Sequence, residues 1–322
     1  MSRSIMSQIH TQTARLGTTL AAALLLAQTA TAAPKQVLAV LYDGAEYAVV
    51  RDMYIAGQLP HLRSVGALGT MTAITPCAPE RKSLYNWPCQ LTITAVQHAT
   101  MLTGADFTVT GVDDNRDWWI TPVPAGLTIF ERLKALNPAI HTAYIRDQGH
   151  CITKPILNDY KWQNALWAIE DHSCGNVTEK VITHAQEWQD EDYLIIAHFD
   201  HPDDIGHEYG FTSSEYREGL RENDQRLGQI LRHLTDSVRI YLFADHGFGQ
   251  VSLGRSTLGT HIHRDFAQTT FFVRNNITGK AESWNMAQPC GHWLRYFGGA
   301  GLRCGPLTPT PRDTDQEESD HD

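Results

Sequence analysis

Val37-Leu38-Ala39-Val40-Leu41-Tyr42-Asp43-Gly44 is a continuous apolar run of strand length that ends in a carboxylate and a glycine. A strand with one wet face alternates apolar and polar residues. A strand covered on both faces shows no polar face, and such strands belong to mostly parallel sheets with helices on either side. Two further runs share this form. Tyr193 to Ala197 leads into Asp200-His201-Pro202-Asp203, and Val238 to Ala244, interrupted only by Arg239, leads into Asp245-His246-Gly247. Helical patterns lie between them at Leu127 to Leu136, Val177 to Trp188 and Ser214 to Leu234. The expected fold is therefore α/β, a mostly parallel central sheet flanked by helices.

Composition sets the bounds on class. The chain has 322 residues, 42% hydrophobic and 19% charged, so it is long enough and apolar enough to bury a sizeable core. Its formal charge of −10 gives no electrostatic footprint for nucleic acid, and binding to a duplex is not expected. At the N-terminus, Arg3 and Arg15 precede an apolar run, Leu20 to Ala27, and small residues follow at Ala30-Thr31-Ala32. This reads as a signal peptide over 1–32, with an uncleaved anchor as the alternative. A secreted or periplasmic protein with no stable span after cleavage is expected. The six cysteines, Cys77, Cys89, Cys151, Cys174, Cys290 and Cys304, suit an oxidising compartment, with sequence neighbours pairing as the simplest arrangement. From Pro306 to Asp322 the chain carries three Pro and six acidic residues and reads as a solvated tail, which leaves 33–305 as the folded domain.

The acidic strand ends are the main chemical signal. In open α/β sheets the crevice beyond the carboxyl ends of the strands is where ligands bind, so three strands deliver carboxylates to one rim. Gathered carboxylates repel one another and call for cations, and nearby histidines point to zinc. In Pro202-Asp203-Asp204-Ile205-Gly206-His207 a carboxylate and an imidazole four residues apart reach one ion across a turn that Gly206 permits. Asp245 and His246, neighbours at a strand end, point in different directions and serve two ions. Gly259-Thr260-His261-Ile262-His263 offers one more imidazole. Taken singly, each Asp reads equally well as a turn or helix cap. Together they make two sites of three protein ligands each, with positions open for substrate and water.

Between the first two acidic ends lies Thr92-Ile93-Thr94-Ala95-Val96-Gln97-His98-Ala99-Thr100-Met101-Leu102-Thr103-Gly104, a loop entering a helix with Thr94 in its first turn. A hydroxyl there faces the positive end of the helix dipole, which favours an anionic substrate and a partly ionised nucleophile. The competing reading makes Thr94 an N-cap.

These residues carry a resemblance. Asp43-Gly44, then Thr94 with Gln97, His98, Thr100, Thr103 and Gly104, then Pro202 to His207, then Asp245 to Gly247 resemble, in order, the motifs of the alkaline phosphatase superfamily in its type I phosphodiesterase and nucleotide pyrophosphatase branch. The resemblance implies an alkaline phosphatase-like fold and two zinc ions, other divalent metals being possible. Asp43, Asp245 and His246 would hold one ion beside Thr94. Asp203, His207 and His261, or alternatively His263, would hold the other. It further implies attack on phosphorus by Thr94, a phospho-threonine intermediate, and a hydrogen bond from Gln97 to a phosphoryl oxygen of a small phosphate-ester substrate.

Two departures from the family pattern stand out. Gln97 takes the place of Asn, and only 14 residues separate His246 from His261 where larger members insert a substantial segment, so the cap is expected to be reduced. The neutral Gln97 and a threonine nucleophile suit a singly charged diester; a phosphomonoester or a phosphonate is the alternative. Cys77-Ala78-Pro79-Glu80-Arg81 resembles the sulfatase signature, but there the Cys precedes Thr-Gly by nine residues, and Thr94, not Cys77, stands at that interval from Thr103-Gly104. An inactive metal-binding module is a further reading, with neither a ligand nor the nucleophile evidently missing.

Overall fold

The computed structural model describes residues 32–66, 72–74, 93–112, 115, 122–147, 162–253, 256–260, 270–274, 286–300, 302 and 304–305. The chain divides at Pro34, and the fold below is that of Lys35–Asp322. In chain order the elements are β1 (Gln36–Tyr42), α1 (Tyr47–Ile55), α2 (Pro60–Gly66), β2 (Thr72–Ile74), α3 (Thr94–Thr103), α4 (Phe107–Thr110), α5 (Ile129–Leu136), β3 (His141–Arg146), α6 (Gln163–Leu166), α7 (Val177–Glu187), β4 (Tyr193–Phe199), α8 (Asp203–Tyr209), α9 (Ser214–Leu231), β5 (Arg239–Phe243), β6 (Gly249–Leu253), β7 (Ser256–Thr260), β8 (Thr270–Arg274) and α10 (Gln288–Tyr296).

Six strands form one sheet in the order β2-β8-β5-β1-β4-β3, and β6 pairs with β7 separately. Strands β3, β4, β1 and β5 run parallel, while β8 is antiparallel to both β5 and β2. The three apolar runs thus occupy the middle of the sheet, as their lack of a polar face requires. Register is tight. Val37 pairs with both Leu194 and Arg239, and a one-residue slip would send every side chain of β1 to the other face.

Alternate residues of the central strands enter two cores. Val37, Ala39 and Leu41 join Leu194, Ile196, Tyr241 and Phe243 under α3, α5 and α10. Leu38, Val40 and Tyr42 join Ile195, Ala197, Leu242 and Ala244 under α1, α2, α7 and α9. Helix α5 starts in a capping box in which Thr128 and Glu131 each satisfy the other's backbone N–H, and Ser213 caps α9 by accepting from Tyr216 N.

The Cys290–Cys304 disulfide realises one of the expected neighbour pairings, and Cys174 is also disulfide-bonded. It braces the end of α3. Gly305 N donates to Thr103 O at 2.8 Å, and Gly104, in the left-handed region at φ 70°, lies so close to Cys304 that an added Cβ would stand 2.6 Å from its Cβ. Among the described residues no helix is long and apolar enough to cross a membrane. The segment 1–31, Cys77, Cys89, Cys151, the late histidines His261 and His263, and the tail from Pro306 all lie outside the described residues.

Candidate metal centre and nucleophile

Strand parity builds the site. Asp43 continues the α3-facing set of β1 and Asp245 that of β5, so both carboxylates leave their strands toward the helix that begins at Thr94. The Asp43 backbone N–H still donates to Phe199 O at 3.0 Å, so the chain turns only after the carboxylate has been delivered. Gly44 makes that turn at φ 65°. A Cβ there would stand 2.7 Å from the Phe248 ring and 2.8 Å from Asp203 Oδ1, so this position requires glycine for its conformation and for the close approach.

Each carboxylate is held by one oxygen and turned inward by the other. Asp245 Oδ1 accepts from Gly44 N at 3.1 Å and from His246 N at 3.0 Å, while its Oδ2 lies 3.4 Å from His246 Nε2. Asp43 Oδ2 pairs with His198 Nε2 at 3.1 Å, and its Oδ1 lies 3.3 Å from His246 Nε2. His246 Nδ1 sits 3.2 Å from Gly247 O. A carbonyl only accepts, so that nitrogen carries the proton and Nε2 presents its lone pair to the cluster. Asp245 and His246 were expected to diverge as strand neighbours. They converge, because the backbone bends at Asp245 and strand alternation does not carry on to His246.

Asp203 comes from the first position of α8, and its Oδ1 lies 3.9 Å from His246 Nε2 and 3.6 Å from His207 Nε2. Asp203 and His207 are neighbours by helical spacing, one turn apart, and not by the turn expected at Gly206. Gly206 is required for another reason: a Cβ there would stand 2.7 Å from Phe248, the same ring that crowds Gly44. Asp203 is fully buried and His207 is 42% exposed at its side chain, so the helix runs outward from the cluster.

Thr94 is the first residue of α3, with Ile93 as its N-cap and no capping hydrogen bond from that side chain. The N-cap reading of Thr94 is therefore set aside. Its Oγ1 lies 3.2 Å from His246 Nε2. Gln97, one turn further, is buried, as are His98, Thr100 and Thr103 on the same helix.

The donor set fits a divalent cation. Asp43, Asp203 and His246 each place a ligand atom within 4.8 Å of the other two, all three residues being buried, and Asp245 adds a third buried carboxylate. Carboxylates gathered out of water repel one another strongly unless a cation compensates them, and a set of carboxylates with one imidazole suits zinc and its neighbours. The late histidine proposed to complete the second site lies outside the described residues.

Some participants were not anticipated. His198 sits in β4 at the parity of Leu194 and Ile196, a polar residue where the α3-facing core is apolar, and that break in the pattern is the sequence signal for it. Tyr144 hydrogen-bonds His98 Nδ1 from β3. Burial pushes the Tyr144 phenol well above its ordinary pKa, so it stays protonated. Tyr216 braces the rim by donating to Gly44 O at 2.6 Å and accepting from Glu46 N at 2.8 Å.

Comparison with known proteins places the chain in a family and a fold. The family model for type I phosphodiesterase / nucleotide pyrophosphatase matches residues 37–269. Rat ectonucleotide pyrophosphatase/phosphodiesterase family member 7 is 24% identical over 253 residues, covering 69% of this chain and 52% of that protein. Venom phosphodiesterase 2 of Crotalus adamanteus is 32% identical over 119 residues, 34% of this chain and 14% of the venom protein. The chain thus spans about half the length, or less, of the curated relatives it matches. Among solved structures, human ectonucleotide pyrophosphatase / phosphodiesterase 5 superposes with a TM-score of 0.59 at 13% identity, covering 86% of this chain and 97% of that one. A 2-O GAG sulfatase superposes with the same TM-score of 0.59 at 12% identity over 89% of this chain and 76% of that one, so these likenesses establish the alkaline phosphatase-like fold and not the reaction. On the match spanning 37–269, the chain belongs to the type I phosphodiesterase / nucleotide pyrophosphatase family.

Proposed function

We propose that this protein is an exported, zinc-dependent phosphodiesterase whose nucleophile is Thr94. The observation that carries the reading is the buried hydroxyl of Thr94 at 3.2 Å from His246 Nε2, beside a buried cluster of three carboxylates. Asp43, Asp245 and His246 would hold one ion, and Asp203, His207 and His261, or His263 in its place, the other. When bound, such ions would supply Lewis acidity, neutralising the carboxylates and the charge that develops on the transferring phosphoryl group.

The chain's own residues then have separate tasks. Thr94, at the first turn of α3, attacks phosphorus through Oγ1; the P–O bond to the leaving alcohol breaks and a phospho-threonine forms. A water molecule attacks that phosphorus from the opposite side, releasing the phosphate monoester and restoring the Thr94 hydroxyl. The positive end of the α3 dipole would favour the incoming anion, and Gln97 would donate to a non-bridging oxygen. A singly charged diester suits the neutral Gln97 and the threonine nucleophile better than a dianionic monoester, which calls for a cationic group to grip its extra charge. Function outside the cytosol belongs to the same proposal and is supported by the Cys290–Cys304 disulfide.

The test is turnover of bis-p-nitrophenyl phosphate by zinc-loaded protein, beside the p-nitrophenyl monoester, phosphonate and sulfate. Diester hydrolysis that disappears in Thr94→Ala is the expected result. A preference for the sulfate, or a Thr94→Ala variant as active as wild type, would reject the assignment.

A further inference from the structure

Asp43 and Asp245 share a design with one difference. In Asp245 the oxygen turned away from the cluster is held by backbone, through Gly44 N and His246 N. In Asp43 the corresponding oxygen is paired with a side chain, His198 Nε2 at 3.1 Å, inside the sheet. A carboxylate bound by one oxygen can rotate about its Cβ–Cγ bond, so whatever holds Oδ2 decides where Oδ1 points.

We propose that His198 is the positioning residue that fixes Asp43 for cation binding, with His98 and Tyr144 locking His198 in place from behind. A carboxylate oxygen accepts, so His198 donates through Nε2. Its ring packs edge to face against His98 at 4.5 Å between centroids, and both histidines are fully buried. His98 is itself oriented. His98 Nε2 lies 3.7 Å from Asp245 Oδ2, an oxygen that only accepts, which favours the His98 proton on Nε2 and leaves Nδ1 to accept from the Tyr144 hydroxyl. That separation is long for a hydrogen bond but short enough for an N–H dipole to steady the carboxylate. Tyr144 on β3, His198 on β4 and Asp43 after β1 come from adjacent parallel strands, stepped diagonally: His198 pairs with Leu41, two residues before Asp43, and Tyr144 pairs with Ile196, two residues before His198. Partners of this kind behind metal ligands commonly carry 10–100-fold of metal affinity, on the order of what is expected here.

The inference rests on the cation site proposed above, and its test separates the two. Zn2+ affinity is measured by competition with a chromophoric chelator for wild type, His198→Leu, His198→Gln and Tyr144→Phe, alongside thermal unfolding of each metal-free form. The expected result is a loss of about 10–100-fold in His198→Leu, substantial recovery in His198→Gln, whose amide restores a donor, and metal-free stabilities that do not follow that order. In 15N-histidine spectra, Tyr144→Phe is expected to convert His98 from a single Nε2–H tautomer to a mixture, a signature that a merely space-filling role would not produce. Should His198→Leu fail to fold, the His198→Gln affinity and the Tyr144→Phe spectrum decide. Wild type that binds Zn2+ with variants that bind equally well, or an unchanged His98 tautomer in Tyr144→Phe, would overturn the positioning role and leave the cation site standing. Wild type that does not bind Zn2+ would overturn both.

Discussion

His246 Nε2 stands 3.2 Å from Thr94 Oγ1 and therefore joins the start of α3 to the end of β5, two segments about 150 residues apart. The same nitrogen faces Asp43, Asp203 and Asp245 at 3.3, 3.9 and 3.4 Å. It is the point at which the proposed nucleophile and the proposed ligands meet. His246→Ala is expected to lower diester turnover by at least ~100-fold with an unchanged far-UV circular dichroism spectrum. A variant within a few-fold of wild type would remove His246 from the mechanism.

Asp203 has opposite value with and without a cation. Metal-free, it is one of three buried carboxylates repelling one another; metal-bound, it is a ligand. Asp203→Asn is thus expected to stabilise the protein in EDTA, by about 1–3 kcal/mol, and to reduce the stabilisation that zinc confers. Denaturant titrations in the two buffers measure both. A loss of stability in EDTA would show that Asp203 is a structural carboxylate.

Gly206 offers a test whose sign runs against local preference. Alanine inside a helix is worth about 1 kcal/mol over glycine, yet here the new methyl would stand 2.7 Å from the Phe248 ring. Gly206→Ala is expected to lose stability, by about 1–3 kcal/mol, and to displace the helix that carries Asp203 and His207. A melting temperature raised by Gly206→Ala would show that Phe248 moves freely.

Far from the site, Trp188 is stacked between two imidazoles, His184 at 4.4 Å and His141 at 4.8 Å. His184 Nε2 bonds Asp171 Oδ2 at 2.7 Å, and His141 lies between Glu170 at 2.7 Å and Glu191 at 2.9 Å. The bond to Asp171 raises the His184 pKa and holds the Asp171 carboxyl well below the usual range. Burial opposes protonation of His141, but its two carboxylate partners outweigh it and raise its pKa. A raised histidine pKa gives stability that is complete below the unfolded value, about 6.5, and is lost as pH rises through the folded value. The lowered Asp171 gives stability that is present above about 4 and is lost as pH falls through its native value. Stability is expected to decline between pH 6 and pH 9 by about 1 kcal/mol more in wild type than in His141→Gln/His184→Gln. Parallel pH curves for the two proteins would refute the coupling.

Much of this was legible in the sequence because burial leaves a mark on composition. The runs leading into Asp43, Asp203 and Asp245 became β1, β4 and β5, with Asp203 itself opening α8, and the three carboxylates do meet around His246. The apolar pattern predicts Tyr193 to Ala197, but β4 continues to Phe199, because His198 looks polar yet is fully buried beside Asp43. The role of Gly206 was misread because helix and turn both tolerate glycine, and only packing against Phe248 distinguishes them. The convergence of Asp245 and His246 depends on where the strand stops, which alternation does not encode.

The central claim is that these buried side chains exist to hold divalent cations beside Thr94. Zinc content of the folded chain after equilibration with Zn2+ and removal of unbound metal tests it most directly. Two zinc ions per wild-type chain, falling in Asp43→Ala and in Asp203→Ala, is the predicted outcome. A folded wild-type chain that retains no zinc or comparable divalent cation would contradict it.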